Sequence, residues 1–309
     1  MQKSNSPALR PIDAFAVVLI VACCAAWGVN QVAIKAATVD IPPILQAGVR
    51  SLLSGLLLCA WAQSRGIPLF ERDGTLGAGL VIGIVFAIEF LLLFPGLALT
   101  TASRGVLFLY AMPIFVALGS HFFVPGDQLT RLKTAGLAAS FAGLALALSD
   151  GLWGPEAARG SIVGDLMCLA SAAGWGVTTL ILRTTRLRTV SPEKALLYQL
   201  GISAPILIAA SLAAGEPPVS LTNASVALAF AYSVVIVAFI SYTVWFWLLT
   251  RHPASSVAVF TFLTPLFGVL AAYLMLGEPL TPSLIAAMAL VAIGIYLVNR
   301  PATASTSEA

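Results

Sequence analysis

The chain has 309 residues, of which 59% are hydrophobic and 9% charged, with a formal net charge of +3. Soluble domains carry about 25% charged residues, so this composition excludes an ordinary soluble protein. The few basic residues form no basic helix and no aromatic-basic platform, which excludes a nucleic-acid binder.

A helix that crosses the hydrocarbon core of a bilayer needs about 20 mostly apolar residues. Such stretches run at Ala14–Ala36, Pro43–Gln63, Gly77–Leu99, Ser103–Val124, Leu132–Leu148, Ile162–Leu182, Ala195–Ala213, Val226–Leu249, Ser255–Leu276 and Ser283–Val298. They do not alternate apolar and polar residues as barrel strands would. The reading is an all-α polytopic membrane protein with ten transmembrane helices. Ile20-Val21-Ala22-Cys23 has the look of a lipoprotein cleavage signal, but equally apolar runs follow and the first run has an internal copy. The four cysteines, Cys23, Cys24, Cys59 and Cys168, all lie in apolar runs, where a thiol serves as a small packing residue.

Basic residues stay preferentially on the cytoplasmic side. With the N-terminus inside, the inner segments collect Lys3, Arg10, Arg65, Arg72, Arg131, Lys133, Arg183, Arg186, Arg188, Lys194, Arg251 and Arg300. Lys35, Arg50, Arg104 and Arg159 remain for the outer side. The expectation is a multi-pass protein of the cytoplasmic (inner) membrane with both termini cytoplasmic.

The chain also repeats itself. "AAWGVNQVAIK", Ala25 to Lys35, returns as "AGWGVTTLILR", Ala173 to Arg183, with Trp27 on Trp175, Gly28 on Gly176 and Lys35 on Arg183. Gly126-Asp127-Gln128-Leu129-Thr130 corresponds to Gly277-Glu278-Pro279-Leu280-Thr281, and Pro113 to Pro265. Aligning the prolines sets Ala102-Ser103 on Ala254-Ser255 and Glu89 on Ser241. Two five-helix units, residues 1–150 and 160–309, are therefore expected. An odd number of spans per unit inverts the second relative to the first, the arrangement of many secondary transporters.

These motifs, with "LGEPLT", resemble the EamA-type repeats of the drug/metabolite transporter superfamily, and the resemblance covers nearly the whole chain. It implies ten helices in two inverted five-helix repeats and movement of small metabolites, often export of amino acids or related amphipathic compounds. The first copy departs from the pattern, reading "VPGDQLT".

Ionisable groups inside a bilayer cost about 2.5–3.5 kcal/mol on insertion scales and are functional candidates by default. Arg50 and Glu89 stand out, roughly 10 Å and 15 Å from the outer ends of their spans at 1.5 Å per residue. Either they bridge the bundle, or they contact substrate or a proton. Side chains four apart share a helical face, which groups Trp27 and Gln31 with Lys35, Gln46 with Arg50 and Ser54, and Trp175 and Thr179 with Arg183. Asn30 lies beside Gln31, and Tyr110, Tyr242 and Trp245 offer aromatic walls. The candidate substrate site is thus Trp27, Asn30, Gln31, Arg50, Glu89, Tyr110, Trp175, Thr179 and Tyr242. Lys35 and Arg183 are expected to snorkel to the interfaces, Pro113 and Pro265 to kink their helices, and Gly79 with Gly83 to permit close helix packing.

Neither H-E-x-x-H, G-x-S-x-G nor a nucleotide-binding loop is present, nor is there a cluster of His, Cys or carboxylates. No catalytic residue, metal or cofactor is expected, and the expected partners are a small-molecule substrate and the lipid bilayer. A membrane-embedded enzyme or a channel without a recognisable signature stays as the alternative. Nothing in the sequence sets the oligomeric state.

Overall fold

A computed structural model of the chain describes residues 13–124, 129–153, 160–220, 223–252 and 260–299. In chain order the helices are α1 (Ala14–Ala37), α2 (Pro43–Ser64), α3 (Leu76–Leu99), α4 (Ala102–Leu109), α5 (Met112–Phe123), α6 (Arg131–Trp153), α7 (Ile162–Thr184), α8 (Pro192–Ala213), α9 (Ala224–Ala231), α10 (Tyr242–Arg251), α11 (Leu263–Leu276) and α12 (Pro282–Asn299). A π-helical segment, Tyr232–Ser241, joins α9 to α10. α4 with α5 makes one span, and α9 with the π segment and the first residues of α10 makes another. Seven segments of the described chain are long and apolar enough to cross a membrane, and α6, α11 and α12 complete an all-helical polytopic bundle of ten spans.

Local chemistry sets the helix starts. An unpaired first-turn N–H needs an acceptor, and Asp13, Thr101, Ser161 and Ser191 supply side-chain oxygens at the starts of α1, α4, α7 and α8. Pro43 and Pro192 open α2 and α8, where a missing N–H costs nothing. Pro113 does more than kink its span. The ladder breaks at Tyr110-Ala111 with Ala111 N–H turned to the Phe108 carbonyl at 3.2 Å, and α5 restarts with Pro113 in its first turn. Pro265 lies in the first turn of α11, after a short 3-10 turn at Phe260–Phe262. Both prolines therefore stand at helix starts instead of mid-helix kinks, because the helix is already interrupted before each of them.

Lipid-facing and interior faces separate residue by residue. Leu56 and Ile88 are exposed, while Ser54 and Glu89, adjacent to those faces on α2 and α3, are buried. α3 packs on α7 and α8, α2 on α8, α1 on α11 and on the α9 and π segments, α5 on α7, α4 on α11, and α6 on α12. The close approach of α3 to α8 requires glycine. A Cβ at Gly79 would meet the Tyr198 ring at 2.6 Å, and one at Gly83 would meet Ile202 Cβ at 2.5 Å. Gly28 does the same for α1 on α11, where a Cβ would stand 2.6 Å from Gly268 N.

At the rim where α1 and α3 end and α2, α4 and α7 begin, charges are bonded. Arg104 of α4 makes a fully buried ion pair with Asp165 of α7, which also accepts from Thr100 Oγ1 at 2.6 Å and Arg104 Nε at 3.1 Å. The Glu216 carboxylate accepts Ile44 N–H at 2.9 Å and Leu45 N–H at 2.8 Å at the start of α2. Glu278 does the same for Ala102 and Ser103 N–H at 2.7 and 2.9 Å at the start of α4. Lys35 does not snorkel. Its ammonium donates to the Leu97 carbonyl at 3.1 Å and to that of Thr100, because the unpaired carbonyls ending α3 are closer acceptors than solvent and favour a cation. At the opposite rim Lys194 of α8 pairs with Asp73 at 2.7 Å. Gly126, Asp127, Gln128, Ala254 and Ser255, which carry part of the repeat alignment, lie outside the described residues.

Candidate functional site

Arg50 stands on the inward face of α2 and is 2% exposed. Its Nε donates to the Ser233 carbonyl of the π segment at 3.4 Å, and its guanidinium carbon lies 5.1 Å from the Phe90 ring centroid and 6.0 Å from that of Phe94. Cation–π contact of this kind stabilises a desolvated guanidinium by about 2 kcal/mol. One guanidinium nitrogen, NH1, has no hydrogen-bond partner. Glu89, on α3, is 4% exposed, and its Oε2 is likewise unpartnered. Opposite it on α7 stands Gly174, where a Cβ would come within 3.5 Å of Glu89 Cβ. No ion pair joins Arg50 to Glu89 among the described residues, although each acts on the other electrostatically.

Aromatic rings close this centre. Trp27 on α1 donates its indole N–H to Ser241 Oγ at 2.8 Å and packs on Trp245 and Tyr242 with centroids 5.0 and 6.1 Å apart. Tyr110, at the break between α4 and α5, meets Trp175 edge-on at 5.7 Å and 80°. Tyr242 lies within electrostatic reach of both Arg50 and Tyr110. Trp27, Arg50, Glu89, Tyr110, Trp175 and Tyr242, from five spans and the start of α10, therefore share one interior region. Asn30 and Gln31 are buried one turn along α1 from Trp27, each with an unpartnered side-chain oxygen. Thr179 is different: its hydroxyl donates to the Trp175 carbonyl at 2.9 Å, so it is spent on its own helix.

The structure adds residues that sequence reasoning passed over. Ser241 anchors Trp27, and the repeat alignment that set it on Glu89 was the signal that could have found it. Ser233 holds Arg50 through its backbone, which no side-chain pattern announces. Gln46, one turn before Arg50, donates to the Ile34 carbonyl at 3.3 Å and leaves its own carbonyl oxygen unpartnered. The π segment has no proline or glycine to mark it, yet it turns the Ser233 and Val234 carbonyls onto Arg50 and Ser54 of α2. Segments of this kind are frequent at functional sites. A small cleft lined by Ser103, Arg104, Glu278 and Thr281 lies at the charged rim, where Arg104 and Glu278 are already bonded.

Buried polar groups are almost always bonded, and an orphaned one costs about 1–3 kcal/mol. Arg50, Glu89 and the amide oxygens of Asn30, Gln31 and Gln46 are buried groups that each keep an atom without a partner in this polytopic helical bundle. Comparison with known proteins gives the family. The chain matches the EamA-like transporter family over residues 14–149 and 162–300. It is similar to "Uncharacterized transporter YvbV" of Bacillus subtilis, 31% identical with 92% of this chain and 91% of that protein covered. It is also similar to the "Probable amino-acid metabolite efflux pump" of Salmonella typhimurium, 29% identical over 92% and 94% of the two chains. A solved crystal structure 19% identical to the chain superposes with a TM-score of 0.66 over 93% of this chain and 96% of that one, which shows the fold. The chain belongs to the EamA-like transporter family and is a membrane transporter.

Proposed function

We infer that the chain is a secondary exporter of small zwitterionic or amphipathic metabolites, with amino acids as the leading class. The observation that carries this reading is the separated pair of orphaned groups, Arg50 NH1 and Glu89 Oε2, in one buried region walled by Trp27, Tyr110, Trp175 and Tyr242. A substrate carboxylate would complete Arg50, its ammonium would complete Glu89, and the rings would enclose an apolar side chain. Two relatives named "Probable amino-acid metabolite efflux pump", from Salmonella typhimurium and Escherichia coli, support the class.

Alternating access is read from two inverted five-helix units, residues 1–150 and 160–309. Exchanging each span of one unit for its counterpart in the other carries the main helix packings onto one another. α3 on α7 becomes the α9 and π segments on α1, α5 on α7 becomes α1 on α11, and α2 on α8 and α6 on α12 map onto themselves. The starts of α1 and α7, capped by Asp13 and Ser161, and of α2 and α8, opened by Pro43 and Pro192, correspond as well. The excess of basic residues assigns both termini to the cytoplasm and the rim of Arg104 and Glu278 to the outside.

Purified chain in liposomes, loaded with a panel of radiolabelled L-amino acids, their decarboxylated amines and their des-amino acids, tests the function. Efflux of intact amino acids in preference to either truncated form is expected. Equal transport of all three classes, or of none, would sink the zwitterion reading.

A further inference from the structure

The interior carboxylates and cations differ in one respect. Asp165 is matched by Arg104, Glu278 and Glu216 by pairs of backbone N–H groups, and Lys35 by the carbonyls ending α3. Glu89 has none of these: it is buried, half of its carboxylate is orphaned, and among the described residues no ion pair reaches it. Arg50 is the charged side chain that acts on it, but the Ser233 carbonyl and the Phe90 and Phe94 rings hold that guanidinium apart. Among the described residues, the other elements packed on α3 hold their charges at its ends, where Arg186 and Arg188 of the 3-10 turn Arg186–Thr189 lie beside the start of α3. On α7 the residue facing Glu89 is Gly174, with Asp165 bound to Arg104 at one end and Arg183 in the last turn at the other. On α8, Lys194 pairs with Asp73 and the Tyr198 hydroxyl meets Thr75 Oγ1 at 3.2 Å, both at the rim. On α1, Lys35 is on the α3 carbonyls, and on α4, Arg104 is on Asp165, leaving Tyr110 in its aromatic contact with Trp175.

A lone carboxylate in such a place is stable only with a proton or a cation on it. The geometry points to Glu89 as the proton carrier of the transport cycle: it holds a proton while the site is empty, and the ammonium of an arriving zwitterion displaces that proton. This rests on the zwitterion reading above. The balance closes without another reactant. Before binding, the site holds the Arg50 cation and a neutral Glu89 carboxyl. On binding, the proton leaves to the side from which substrate enters, and two ion pairs form, Arg50 with the substrate carboxylate and Glu89 with its ammonium. After substrate leaves on the far side, Glu89 takes a proton from that side. One proton thus moves against one substrate.

Infrared difference spectroscopy on the full chain in phosphatidylethanolamine–phosphatidylglycerol vesicles tests this, with L-leucine as probe and a trapped pH dye to follow flux. At neutral pH the wild type should show a protonated carboxyl band that Glu89→Gln lacks and Glu89→Asp keeps at a shifted position. L-Leucine should bleach the band with release of one proton, and 4-methylpentanoate should not. With the membrane potential clamped at zero, a gradient of one pH unit should support about tenfold L-leucine accumulation in wild type, and the residual leucine flux of Glu89→Gln, itself lowered by the lost ammonium contact, should not respond to the gradient. A band absent from wild type, unchanged in Glu89→Gln, or unmoved by leucine overturns the proposal. If leucine bleaches the band and releases the proton but no flux is seen, the proton site stands and the transport reading falls.

Discussion

The charged rim and the membrane centre are built from the same residue types and treat them in opposite ways. At the rim Arg104, Asp165, Lys35, Glu216 and Glu278 each find a protein partner. In the centre Arg50, Glu89, Asn30, Gln31 and Gln46 each keep an atom without one. Breaking a buried ion pair is costly because the remaining charge is stranded, whereas Arg50 and Glu89 form no ion pair with each other, and removing either one breaks none. The rim therefore holds the bundle together, and the centre keeps unmet bonding capacity, which is what the proposed substrate site requires.

That contrast can be broken most sharply at Asp165. Asp165→Ala leaves the Arg104 guanidinium buried and unmatched, so a loss of roughly 3–5 kcal/mol is expected. Yield and the melting temperature of the detergent-purified chain should fall steeply. The double variant Arg104→Met with Asp165→Leu should recover most of the loss, and a single variant that melts like wild type would refute the role given to this pair.

Gly83→Leu and Gly28→Val come next. Each forces a side chain into a neighbour that cannot move away, Ile202 with the Tyr198 backbone or the Gly268 backbone, at a cost of about 1–3 kcal/mol or more. The same melting measurement reads it, and unaltered melting would show that the helices approach less closely than described.

Glu278→Gln weakens a charge-assisted cap on α4 without stranding a cation, and about 1–2 kcal/mol is expected. In the centre the order reverses. Glu89→Gln should leave melting unchanged or raise it slightly, and Arg50→Gln, which gives up the Ser233 bond and the ring contacts, should cost no more than about 2 kcal/mol, while efflux drops at least about tenfold in both, the loss of one charge-assisted bond to substrate. Centre variants that unfold the protein while efflux per folded molecule persists would erase the distinction between the two regions.

The smallest effect lies at the opposite rim. Lys194 and the Thr75 hydroxyl hold the Asp73 carboxyl below the usual carboxylate range. A carboxyl lowered in the folded state contributes stability above the unfolded-state value, near 4, and loses it as pH falls through the folded value. Because Asp73 is exposed, Asp73→Asn should change melting only slightly at neutral pH, and the gap between variant and wild type should close on acidification. A gap that widens in acid would contradict the pairing with Lys194.

The sequence alone determined where the spans run, because each must match the same thickness of hydrocarbon and that demand is met residue by residue along a single helix. It likewise determined that Arg50 and Glu89 are interior, since their flanking residues are apolar, and that Trp27 and Trp175 belong to corresponding stretches. Tertiary structure alone decided the pairings. Asp165 meets an arginine 61 positions away, Arg50 meets a carbonyl of the π segment in place of the Glu89 carboxylate, and Lys35 ends on α3 instead of at the interface. Span hydropathy says that a side chain needs an interior, but which atom waits there depends on the depth, rotation and spacing of a neighbouring helix. Those are set by contacts such as Gly83 on Ile202 and Gly28 on Gly268, which no local pattern encodes.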